Sequence, residues 1–88
     1  MGAVAKSMEA KLRASLTPTR FELKDESARH QGHDHAGVES HFDLTVESSA
    51  FAGLTRVARQ RLVMGIVADE LAGPVHALSI RALAPGEG

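Results

Sequence analysis

The feature that most constrains this chain is a helical stretch caught between two strand-patterned ones. Residues 55–71 carry apolar side chains at helical spacing, while residues 41–46 and 75–83 on either side alternate apolar with polar. Two strands joined through a helix do not form a tight hairpin, and such a connection fits a parallel or mixed sheet with helices on one face. Within residues 55–71, Val57, Met64 and Leu71 fall a heptad apart, Val67 and Ala68 share their face, and Leu62 and Ile66 occupy another. This predicts a central helix packed on the sheet and stopped by Gly73-Pro74.

The rest of the chain fills in around that crossover. In residues 4–16, Val4, Met8, Leu12 and Leu16 recur every fourth position, with Lys6, Glu9, Lys11 and Arg13 largely opposite, so a helix is expected, ended by Thr17-Pro18. Residues 20–25 alternate, with Phe21 and Leu23 on one side, as a half-buried strand does. Residues 27–40 are rich in Gly, His and polar side chains and have no period, which predicts a long loop joining two antiparallel strands. A turn-like bridge follows at residues 47–53, with a short helical turn near residues 49–54. In the last strand His76, Leu78, Ile80 and Ala82 share one face, and the tail 84–88 is expected to lack core residues and fray. The expectation is one α+β domain over residues 1–88, with a core from about residue 4 to 83. Its order is α-β-β-α-(α)-β, giving a three-stranded mixed sheet with helices on one face.

A chain of 88 residues supports one small core, and with three Phe and no Trp or Tyr that core must be mostly aliphatic. The absence of cysteine excludes a disulfide framework. No apolar run approaches the roughly 18 residues of a membrane span and no signal-like apolar region is present, so the reading is cytoplasmic, without a membrane partner. The net charge of −1 is unevenly spread: residues 21–50 set two cations against seven acids, whereas residues 1–20 set four cations against one acid. An acidic middle argues against nucleic acid as the main partner.

Histidine carries the candidate chemistry. His30, His33, His35 and His41 cluster with Asp34 in residues 28–42, and His76 stands alone at the start of the last strand. Imidazoles bind Zn, Cu, Ni and Fe, but this spacing matches no standard structural zinc site and no thiolate assists. A solvated polar loop is an equal reading. From pattern alone, His76 reads as a partly buried imidazole satisfied by backbone. Arg56, Arg59 and Arg61 are the candidate nucleic-acid contacts, against a plain solvated basic turn. No two glycines stand three apart to clamp a nucleic-acid backbone, and no Trp or Tyr offers a stacking platform, so any DNA binding should be phosphate-dominated. Ser40-His41 is the one adjacent nucleophile–base pair, and strand alternation should send the two to opposite faces, so no enzyme is expected.

Ordered along the chain, several words resemble the BolA family: Met8-Glu-Ala-Lys-Leu12, Asp25-Glu-Ser27 followed by His30, and Glu39-Ser-His-Phe42. Phe51-x-Gly53, Arg59-x-Arg61-Leu62-Val63, Ala68-Asp-Glu-Leu71 and Val75-His-Ala-Leu78 complete the set. The resemblance implies a fold similar to a type II KH domain. It also implies an adaptor that pairs with a monothiol glutaredoxin and co-ligates a [2Fe–2S] cluster in iron–sulfur trafficking or iron sensing. Under it, His76 and His30 fall on the cluster-ligand positions, with His33, His35 and His41 as alternates. The cluster would be shared with the glutaredoxin and glutathione, none being tightly bound by the isolated chain. The family's other role, and the alternative here, is a DNA-binding transcriptional regulator of stress response and cell shape. The chain departs from the pattern in two ways: Arg59-Gln60-Arg61 replaces the usual Arg-His-Arg, and His33-Asp34-His35 is an insertion in the loop.

Overall fold

The computed structural model describes residues 2–26 and 40–87. Helix α1 (Ala3–Leu16) leads into strands β1 (Arg20–Asp25) and β2 (His41–Glu47), then a 3-10 turn (Ser49–Phe51), helices α2 (Arg56–Ile66) and α3 (Ala68–Ala72), and strand β3 (Ala77–Leu83). The sheet order is β1-β2-β3, with β1 antiparallel and β3 parallel to β2. The expected mixed sheet and α+β class are therefore present, with the crossover running through α2 and α3.

Strand register separates the two faces of the sheet. Phe42, Leu44 and Val46 of β2 are buried, and their rung partners Leu23, Phe21, Leu78, Ile80 and Ala82 pack against the core. The alternate positions, among them Glu22, Lys24, Asp43, Thr45, Ser79 and Arg81, lie on the helix-free face. Helix α1 covers the core face with Ala5, Met8, Leu12 and Leu16, all at most 4% exposed, and Val4 packs at their margin. Arg13 stacks over the Phe21 ring at 4.7 Å and is held by Glu9 one turn earlier, which fixes the approach of α1 to β1. The end of α1 is a left-handed Thr17, φ 44°, whose N–H bonds Arg13 O. The proline after it prevents a further helical turn.

Two expectations change. Residues 55–71 form two helices, because at Val67 the backbone leaves helical geometry (φ −106°, ψ 29°). The buried stripe is Val63, Val67 and Glu70, whereas Val57 and Met64 are 57% and 40% exposed. The heptad face thus turns outward, and only its Leu71 and Val67 end reaches the core. The tail also differs from the frayed segment expected. Ala84 is buried, and Glu87 bonds the Arg59 guanidinium and the Ala84 N–H. These contacts extend the ordered core beyond residue 83.

Ser48, fully buried, ties three elements together. Its Oγ donates to Leu16 O and accepts from Ala50 N–H, while its own N–H bonds Leu83 O. Satisfying these groups lets the end of α1, the 3-10 turn and the end of β3 meet in a dry interior.

Candidate functional site

His76 is positioned by backbone, immediately before β3. Its N–H bonds Ser40 O at 2.8 Å, and the Ala77 N–H shares that carbonyl at 3.1 Å. Upstream, Glu70 O accepts from both Gly73 and Val75 N–H, and Val75 is buried at 2%. The main chain on either side of His76 is therefore pinned while its side chain is exposed. A core histidine would be enclosed, so the plainer reading from pattern does not hold.

Glu70 anchors this approach from the other side. Its carboxylate, 7% exposed, accepts from Ser7 Oγ at 2.6 Å and from Lys11 Nζ at 3.0 Å, which bolts α3 to α1. Burial alone would raise the Glu70 carboxyl, but the Lys11 and Ser7 hydrogen bonds outweigh it and hold the group below the ordinary carboxylate range. The Glu70 hydrogen bond in turn raises Lys11.

His41 opens β2 opposite Ala77, one rung beyond the Ser40–His76 contact. Alternation assigns it to the helix-free face with Asp43 and Thr45. Its Nδ1 lies 2.9 Å from Ser40 Oγ. Adjacent side chains at the very start of a strand do touch here, contrary to expectation, because Ser40 precedes β2 and escapes its alternation. His30, His33 and His35 lie outside the described residues. Among the described residues no group of three or more His, Cys, Asp or Glu side chains is arranged to hold a metal ion.

The three arginines of α2 differ in their surroundings. Arg59 is engaged inside the fold: Nε donates to Leu54 O, Nη1 to Ala82 O, and Nη1 and Nη2 to Glu87 at 2.5 and 2.9 Å. Gln60 Nε2 donates to Ile80 O, so this amide serves the edge of β3. Arg56 and Arg61 are exposed, but five residues apart they diverge by about 140° around the helix. Sequence reasoning missed both Glu70 and Gln60, since a carboxylate and an amide in a helix look solvated until their partners are known. No helix among the described residues is long and apolar enough to cross a membrane.

The family model for BolA-like protein matches residues 12–87. The chain belongs to the BolA family. It is 44% identical over 86 residues to BolA-like protein 1 of Mus musculus, covering 98% of this chain and 61% of that protein. It is 47% identical over 73 residues to the DNA-binding transcriptional regulator BolA of Vibrio cholerae, covering 83% of this chain and 67% of that protein. Among solved structures, the BolA domain of SufE1 from Arabidopsis thaliana superposes with a TM-score of 0.90 at 40% identity, covering 100% of this chain and 99% of that one. The chain spans a little over three fifths of the length of mammalian relatives such as the mouse protein.

Proposed function

We propose that this BolA-family chain is a non-enzymatic adaptor that pairs with a monothiol glutaredoxin and co-ligates a [2Fe–2S] cluster in iron–sulfur trafficking or iron sensing. The observation that carries the reading is His76, an exposed imidazole on a backbone tied down on both sides. Such a ligand keeps its geometry while awaiting a partner. The donor set fits only a shared site. The chain has no cysteine, and a [2Fe–2S] cluster takes four ligands, so under this reading a glutaredoxin cysteine and a glutathione thiolate would complete it. Histidine ligation on one iron raises the reduction potential above that of an all-cysteine centre.

His30 is the proposed second ligand, with His33, His35 and His41 as alternates. The register weighs against His41, since it belongs to the helix-free face one rung past His76. Imidazole ligates when neutral, so cluster loading should weaken as pH falls.

The test is anaerobic mixing with a monothiol glutaredoxin, glutathione and a cluster source, followed by visible absorption and circular dichroism. A spectrum distinct from glutaredoxin alone, lost in His76→Ala and altered in His30→Ala, is expected. An unaltered spectrum in His76→Ala, or no complex at all, overturns the proposal.

A second reading, DNA binding, draws on the name of the Vibrio relative and on exposed Arg56 and Arg61. With Arg59 engaged by Glu87, such binding would rest on few phosphate contacts and fall steeply with salt. A gel shift that keeps sequence preference at physiological salt would favour this reading over the first.

A further inference from the structure

A groove of about 660 Å³ runs between α2 and the outer edge of β3, at the end of the strand away from His76. Leu54, Ile80, Ala82 and Leu83 contribute its apolar lining, and Arg56, Arg59 and Arg81 its charge. Arg56 and Arg81 are exposed and make no ion pair among the described residues. The third guanidinium already holds a carboxylate. Glu87 grips Arg59 through both oxygens, and Oε1 also takes the Ala84 N–H at 2.9 Å.

The strand edge has an unusual polarity. The bonds Ala77 N–H to Ser40 O and Ser48 N–H to Leu83 O turn the odd-numbered peptide groups of β3 toward β2. The even-numbered ones therefore face the groove. There the carbonyls of Ile80 and Ala82 are already filled by Gln60 and Arg59. Along the groove itself, beyond the Leu78 carbonyl, what remains is the Ile80 and Ala82 N–H donors beside guanidinium groups. Ordinary strand addition needs donors and acceptors alternately, whereas this edge suits a ligand that brings acceptor oxygens.

We propose that the groove between α2 and β3 docks an acidic, extended peptide segment of a partner protein. Its carboxylates would seat on Arg56, Arg81 and the Arg59 position that Glu87 now occupies, and interleaved apolar side chains would cover Leu54 and Ile80. Nucleic acid fits less well. The helix-free face next to Arg81 carries Glu22 and Asp43, onto which a continuous polyanion would run. Isolated carboxylates avoid that repulsion. The inference does not depend on cluster ligation, because the groove and His76 lie at opposite ends of β3.

Fluorescence anisotropy with a short labelled peptide alternating Glu and Leu, compared with its Gln-for-Glu counterpart, tests the proposal. Only the acidic peptide should bind, and the double variant Arg56→Glu/Arg81→Glu should weaken it about tenfold or more. Glu87→Gln should tighten it about threefold by vacating Arg59, as removal of an internal competitor does. Circular dichroism of the variants checks folding, which exposed arginines should leave intact. Equal binding of the two peptides, no binding of either, or an unchanged affinity in the double variant overturns the proposal. So does an unlabelled single-stranded DNA oligonucleotide that binds through Arg56 and Arg81 while the peptide does not.

Discussion

The two ends of β3 are held by different chemistry. At the start, backbone groups do the holding: His76 and Ala77 N–H share Ser40 O, and Gly73 and Val75 N–H share Glu70 O. The imidazole of His76 is left outside the restraint. At the far end side chains add to the backbone bond from Ser48 N–H to Leu83 O, with Gln60 and Arg59 on the edge carbonyls and Glu87 on Arg59. Main-chain restraint leaves a side chain available for exchangeable ligation. Side-chain restraint makes the same residues structural, and their release is then coupled to whatever competes for them.

The largest expected effect breaks the support of the first end. Glu70→Ala removes the acceptor for Ser7 and Lys11 and should cost about 3 kcal/mol, the range for buried charge-assisted bonds. Urea unfolding measures the loss, and amide exchange should show Val75 and Gly73 opening faster than β2. Ser48→Ala should come next, at about 2 kcal/mol, because it leaves Leu16 O without its donor in the interior. An equal loss of protection at both ends of β3 in Glu70→Ala would show that they unfold as one unit and remove the contrast.

Acid tests the second end. Its hydrogen bonds with Arg59 and Ala84 depress Glu87 to about 2, well below the ordinary carboxylate value of 4.5. A depressed carboxyl stabilises above its unfolded value, and that contribution is lost as pH falls from about 4.5 toward 2. Thermal scans across this window should show Glu87→Gln losing less stability on acidification than the parent chain. A parallel decline in both would mean that the ion pair does not form in solution.

Two smaller effects sharpen the comparison. Thr17→Asn should stabilise by about 0.5 kcal/mol, since Thr17 sits at φ 44° where a β-branched residue is disfavoured and Asn is tolerated. His76→Ala should change stability by less than about 0.5 kcal/mol, as its side chain is exposed and its bonds are main-chain. A chemical-denaturation midpoint that moved strongly in His76→Ala would make the imidazole part of the fold.

Much of the architecture was legible because local rules suffice for it. The alternation of β1 and β2, the fourth-residue repeat of Val4, Met8, Leu12 and Leu16, and the crossover between two strand patterns express burial against a single partner surface. The face of α2 was not legible. Val57 and Met64 looked like part of a core heptad with Val67, yet the core receives Val63 beside Val67, and the turn at Val67 shifts the phase between α2 and α3. Hydrophobic spacing names the stripes a helix could bury, and only the docking surface chooses among them.

The sequence by itself determined the three strands and the helical crossover between the last two, the family words around His76, and the absence of any thiolate in the chain. The tertiary structure alone decided that His76 stands on a doubly pinned backbone, that Glu70 rather than a hydrophobe bolts α3 to α1, and that Arg59 is closed by Glu87. The physical reason is distance along the chain. Ser7 lies 63 residues from Glu70, and Arg59 lies 28 from Glu87. A polar side chain declares no partner until folding brings one within about 3 Å.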